Sequence, residues 1–154
     1  MATAHSTLTG SDLHEPKGAA AANADEIYIA NGSGSGSWTA ADNNIYLILE
    51  LDDISTASST WLPSPCTGTV SSIQTIIHGA ITSADAIVTA EINGTLITDS
   101  SITIAQSGSA AGDVDSSTPS AANTLAIGNK IEIITNGGST NAVRMTAVLT
   151  VTPT

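Results

Sequence analysis

Few residues in this chain are equipped for chemistry, and those few are scattered. The three histidines, His5, His14 and His78, share no ligand spacing, and the single cysteine, Cys66, supplies one sulfur where a zinc site needs about four N or S donors. With no second cysteine there is no intramolecular disulfide, so Cys66 reads as a small buried hydrophobe. Asp52-Asp53 is a pair of carboxylates of the kind glycoside hydrolysis uses, but acids at the end of a strand are ordinarily solvated. Asp113-Val114-Asp115-Ser116 has the alternating acids of a calcium loop without its glycine and distal glutamate, which makes it a solvated loop. The Gly/Ser run from Gly32 to Gly36 lacks the lysine and the strand-to-helix setting of a phosphate loop, and no Gly-x-Ser-x-Gly elbow has a supporting His and Asp. Trp38 and Trp61 are able to stack on a sugar ring or to anchor a packed contact; beside Gly and Pro, the anchor is the usual role. The expectation is a binding protein and not an enzyme, with no catalytic residue, no metal and no cofactor assigned.

Composition narrows what it could bind. Lys17, Lys130 and Arg144 are the only cations against fourteen Asp and Glu, a net charge of −11. Phosphate backbones require clusters of Lys and Arg, so nucleic acid is excluded as a partner, and so is an anionic membrane surface. No apolar run approaches the ~18 residues of a spanning helix, and Met1 to His5 lacks the basic start of a secretory signal. A soluble product made in a cytoplasm is therefore expected. There is no Phe, so the core must come from Ile, Val, Leu and Ala.

The elements that position these residues are strands. Asn44–Ile54 alternates, with Ile45, Leu47, Leu49 and Leu51 on one face. Val70–His78 places Ile73, Thr75 and Ile77 on one side and Val70, Ile76 and His78 less regularly on the other. Ala86–Asn93 turns Ala86, Val88, Ala90 and Ile92 inward, and Asn93-Gly94 then predicts a tight hairpin. Ser101–Ala105 and Lys130–Thr135 are shorter strands, and Ala142–Thr152 alternates over Val143, Met145, Ala147, Leu149 and Val151. Trp61-Leu62-Pro63-Ser64-Pro65 reads as a rigid connector and Gln106–Asn123 as a long surface loop suited to contacts. Seven or eight strands with no helix predict an all-β fold, an antiparallel β-sandwich or jelly roll over 41–154. Residues 1–40 read as an extended N-terminal arm with a Gly/Ser-rich linker, containing one short strand at Ile27–Ala30 and re-anchored by Trp38. Ile48, Ile76, Ile87, Ile134 and Val148 face outward, which predicts a homo-oligomer, a trimer about a strand-lined axis.

The arm carries a resemblance. Ser11-Asp12-Leu13-His14-Glu15-Pro16-Lys17-Gly18, then Ala19–Ala22, then Ile27-Tyr28-Ile29-Ala30-Asn31-Gly32 through Trp38, resembles the N-terminal motif of tailed-bacteriophage head-decoration, cement and head-fibre proteins. Thr67–Val70, Ile92–Thr95, Ser109–Val114 and Ala126–Lys130 are similar to the β-domains attached to such arms, with Asn129 where an Asp is expected. The resemblance implies a trimeric capsid decoration (cement) protein on the outer surface of the virion head, bridging major capsid protein subunits. It implies that Leu13, His14, Glu15, Pro16, Lys17, Ile27, Tyr28, Ile29 and Trp38 bind the capsid. The alternative is a head- or tail-fibre adhesion protein reading host surface glycans through Trp61 and the Gln106–Asn123 loop.

Overall fold

The structure is a computed structural model that describes residues 22–24, 26–33 and 36–154. The chain divides into two compact units after Asp42. In the first, β1 (Glu26–Ala30) pairs antiparallel with β2 (Gly36–Ala40), in register from Glu26↔Ala40 to Ala30↔Gly36. The turn begins where expected: the Asn31 side-chain oxygen accepts the Ser33 N–H at 2.9 Å, and Gly32 takes φ +76°, a conformation other residues avoid. The expected Gly32–Ser37 loop is shorter at its far end, because Gly36 and Ser37 belong to β2. Any Cβ at position 36 would collide with the Ile29 carbonyl oxygen and lie 2.8 Å from Cζ of Tyr28. The glycine lets the strands and the Tyr28 ring close over it.

The second unit, Asn43–Thr154, is all-β, and no helix occurs among the described residues. One sheet contains β3 (Ile45–Leu51), β5 (Gly68–Ile77), β9 (Val114–Ser117), β10 (Thr124–Leu125) and β12 (Met145–Pro153). Its order is β10-β5-β12-β3, and β9 shares with β10 the free edge of β5. The other contains β4 (Ser58–Pro63), β6 (Ala86–Ile92), β7 (Thr95–Leu96), β8 (Ile102–Ile104) and β11 (Lys130–Thr135), in the order β4-β11-β6-β7 with β8 also on β6. Every pairing is antiparallel. The two sheets form a sandwich-like arrangement around one aliphatic core, with β3 beside β4 and β8 beside β9.

The core follows from the period of two. β3 buries Leu47, Leu49 and Leu51, β6 buries Ala86, Val88, Ala90 and Ile92, and β12 buries Met145, Ala147, Leu149 and Val151. β5 breaks the period because its register against β12 shifts between Thr150↔Ser72 and Val151↔Val70. The extra residue, Ser71, is a bulge that returns Val70 to the inner face occupied by Ile73 and Ile77. Where β6 is left between β7 and β8, the buried Ser100 hydroxyl completes its ladder, accepting from the Ala90 N–H and donating to the Ala90 carbonyl, both at 3.2 Å.

Two expectations are corrected. Trp61–Pro65 is not a connector: Ser58–Pro63 is strand β4, paired with β11 along its whole length. It lies at the sheet edge, where a proline at the strand end removes no needed donor. Gln106–Asn123 is not a single loop either. It contains β9, and Ala121 forms a bridge to Thr98. The long unpaired edge of β5 recruits this segment, since an uncovered row of N–H and C=O groups is unfavourable.

Leu149, fully buried and in register with Leu47 and Ile73, tests the packing. Leu149→Ala is expected to lower the unfolding free energy by about 2–5 kcal/mol, and Ile73→Val by about 0.5–1.5 kcal/mol, read from urea titrations.

Candidate functional site

The β1–β2 hairpin gathers the described part of the expected capsid-binding set. Ile27 and Ile29 stand on one face, opposite Thr39 and Ser37, and remain 51% and 49% exposed. Tyr28 and Trp38 form a cross-strand pair on the other face, half-buried, with ring centroids 5.4 Å apart at 62° in an edge-to-face contact. The Asn23 backbone N–H and side-chain amide both donate to the Glu26 carboxylate, at 2.7 and 3.2 Å, and fasten the approach to β1. Leu13, His14, Glu15, Pro16 and Lys17 lie outside the described residues.

Trp61 stands on the outer face of the β11 sheet, 56% exposed. The register draws one row across four strands: Trp61 opposite Glu132, Glu132 opposite Glu91, and Glu91 opposite Leu96. The Ser59, Lys130 and Trp61 side chains lie beside Glu132 and together hold its carboxyl below its ordinary pKa. The Lys130–Glu132 contact is 3.1 Å. The indole ring is open to solvent. The Asn93-Gly94 turn foretold Glu91↔Leu96, but nothing local in the sequence foretold Trp61↔Glu132, which joins residues from strands far apart in the chain. Trp61 and the β9 segment do not converge. Trp61 is on β4 at one edge of the sandwich, and β9 is beside β8 at the other.

The remaining candidates are structural. The Asp53 carboxylate accepts the Ser55 N–H at 2.7 Å, the Ser55 hydroxyl at 2.8 Å and the Thr56 hydroxyl at 3.3 Å. These bonds, the Ser55 hydroxyl first, hold it below its ordinary pKa, so it serves the turn after β3 and is unsuited to donate a proton. Asp113 accepts the Ala110 N–H at 2.6 Å, and Asp115, whose pKa is raised by burial and then by Asp113, lines a hollow of about 200 Å³ with it. No group of three or more metal-ligating side chains occurs among the described residues. Cys66 is partly buried against the core, and the Ser64 hydroxyl donates to its carbonyl at 2.8 Å. His78 stands exposed at the end of β5, between Arg144 and Thr146.

No protein-family model matches the sequence, and no curated protein matches it either.

The shifted carboxyls give the fold a signed pH dependence. Asp53 is depressed, so its contribution is present above its unfolded pKa and is lost as pH falls through its folded value. Asp115 is raised, so its ionisation weakens the fold once pH climbs from the unfolded value through the folded one. At pH 7, Asp53→Asn is expected to lower the urea midpoint and Asp115→Asn to raise it. Both differences should shrink toward zero as the pH approaches about 2.

Proposed function

We propose that this chain is a bacteriophage capsid decoration protein, a homotrimer that binds the outside of the head and stabilises it by bridging major capsid protein subunits. The observation that carries the reading is the β1–β2 hairpin. An isolated two-stranded hairpin is marginally stable in water, yet this one presents two half-exposed isoleucines, Ile27 and Ile29, from a unit of its own. Such an element gains order by laying that face on another protein, and its open strand edges are suited to extending a neighbouring sheet. The same stretch, with Leu13–Gly18 before it, carries the resemblance to decoration proteins. The charge of −11 keeps the chain from nucleic acid, and the work required is adhesion without chemistry. Three hairpins on one particle multiply a weak contact by about 10²–10⁴ through effective concentration.

A second reading rests on Trp61. An exposed indole opposite Glu132, with Glu91 next in the same row, offers a stacking face and hydrogen-bond acceptors to a sugar ring. With so negative a chain, that sugar would be neutral. The protein would then act as a fibre-like adhesin for host surface glycans.

Cosedimentation of the full chain with undecorated heads of its phage separates the two. Saturable binding is expected, with Ile27→Asp/Ile29→Asp weakening it at least about tenfold and Trp61→Ala leaving it unchanged. Heads left unbound by the wild-type chain would sink the decoration reading. Binding to a neutral-glycan array that disappears with Trp61→Ala would establish the second.

A further inference from the structure

The outer face of the β12 sheet is mapped by its register. One row runs Ile48–Val148–Gln74–Ser116 and the next runs Glu50–Thr146–Ile76–Val114. At about 4.8 Å per strand the face is roughly 14 Å wide between the outermost strands. Ile48 is 61% exposed and Val114 58%, and Glu50 is the one charged residue in these two rows. For a chain with fourteen acids, so neutral a face lets two copies approach with little repulsion.

The face is polarised from edge to edge in two ways. In shape, Ile48 projects at the β3 edge, while Gln74, Ile76, Val114, Thr146 and Val148 line an apolar hollow of about 180 Å³ toward the β5–β9 edge. In charge, Glu50 and the exposed Asp52 stand on and just beyond β3, while the cation is drawn the other way. Arg144 Nη2 lies 3.3 Å from His78 Nδ1 at the end of β5, and His78 Nε2 lies 2.9 Å from the Thr146 hydroxyl. The guanidinium can only donate, so Nδ1 accepts and Nε2 carries the proton given to Thr146. His78 therefore holds Arg144 toward the β5 side, and among the described residues Arg144 makes no ion pair.

We infer that this face packs against further copies of the same chain in a closed head-to-tail ring. The β3 edge of one copy, with Ile48 and Glu50, seats on the β5–β9 edge of the next, with its hollow and Arg144. The inference rests on the reading of the chain as a homo-oligomer and specifies its surface. A projection at one edge and a hollow at the other fit a heterologous contact, which makes a ring where its rotation closes, and the trimer of the proposed function is such a ring. Glu50 and Arg144 lie toward the same end of the strands, so rotation about an axis along the strands brings the carboxylate of one copy to the guanidinium of the next.

The test is sedimentation equilibrium of the full chain at about 10 μM and at low salt, where the charged contacts count most. The wild type is expected to be a trimer. Ile48→Asp and the milder Ile48→Ser should dissociate it at least tenfold more readily with far-UV circular dichroism unchanged. Thr89→Asp, on the outer face of the other sheet, should leave it trimeric. Glu50→Lys should weaken the ring, and Glu50→Lys combined with Arg144→Glu should restore it. A monomeric wild type would overturn both the homo-oligomer and the inference, leaving the face to another virion protein or to the chain's own N-terminal residues. A trimer indifferent to both Ile48 variants, or dissociated by Thr89→Asp, would overturn the face while leaving the homo-oligomer standing. Failure of the charge swap to restore the ring would overturn the head-to-tail pairing.

Discussion

The ladder made by β12 is the constraint on which the second unit depends. It pairs with β3 on one side and β5 on the other, and those two strands touch no other long strand of their sheet. A strand so placed must fill the core with one face and satisfy two backbone neighbours at once. Its sequence meets this with an unbroken alternation of Met145, Ala147, Leu149 and Val151 inward and Thr146, Val148 and Thr150 outward. The inward side chains set the spacing to the other sheet. The outward ones are β-branched because that shape packs well on a pleated surface, and this leaves a sheet face with little charge.

Without Phe, the core has to interdigitate branched aliphatic side chains, and small residues set where the sheets come close. Ala86, Ala90 and Ala147 are each completely buried. Gly68 has a different task within one sheet, at the start of β5, where a Cβ would lie 2.5 Å from the Thr152 carbonyl oxygen of the paired β12. Polar groups enter the core only with partners: Ser100 completes the β6 ladder, and the buried Thr135 hydroxyl donates to the Ile54 carbonyl at 3.2 Å.

The all-β class and the strands β3, β6, β11 and β12 were legible in the sequence because each buries one face and exposes the other. β4 was not legible, because at an edge Ser58, Ser59 and Thr60 need no apolar alternation and Pro63 obscures the rest. β9 was hidden for a related reason: four residues with one apolar side chain, Val114, have no period to detect, and only the open edge of β5 makes them a strand. The irregularity of Val70 against Ile73 was visible, but the Ser71 bulge that explains it depends on the register with β12. Of the candidate site residues, Tyr28 and Trp38 are each visible in the sequence, and their edge-to-face contact follows from a hairpin whose second strand begins inside the Gly/Ser run. The Trp61–Glu132–Glu91 row was beyond reach, since three strands must align before it exists.

The position of β12 also decides when this chain becomes a folded object during its synthesis. β3 leaves the ribosome nearly a hundred residues before its only long partner, so for most of translation β3 and β5 are two open edges with a strand-wide gap between them. A chain interrupted before Met145 cannot close that gap, and its exposed edges favour aggregation over assembly. Until Met145–Pro153 has been made, this chain presents no finished sheet to any partner.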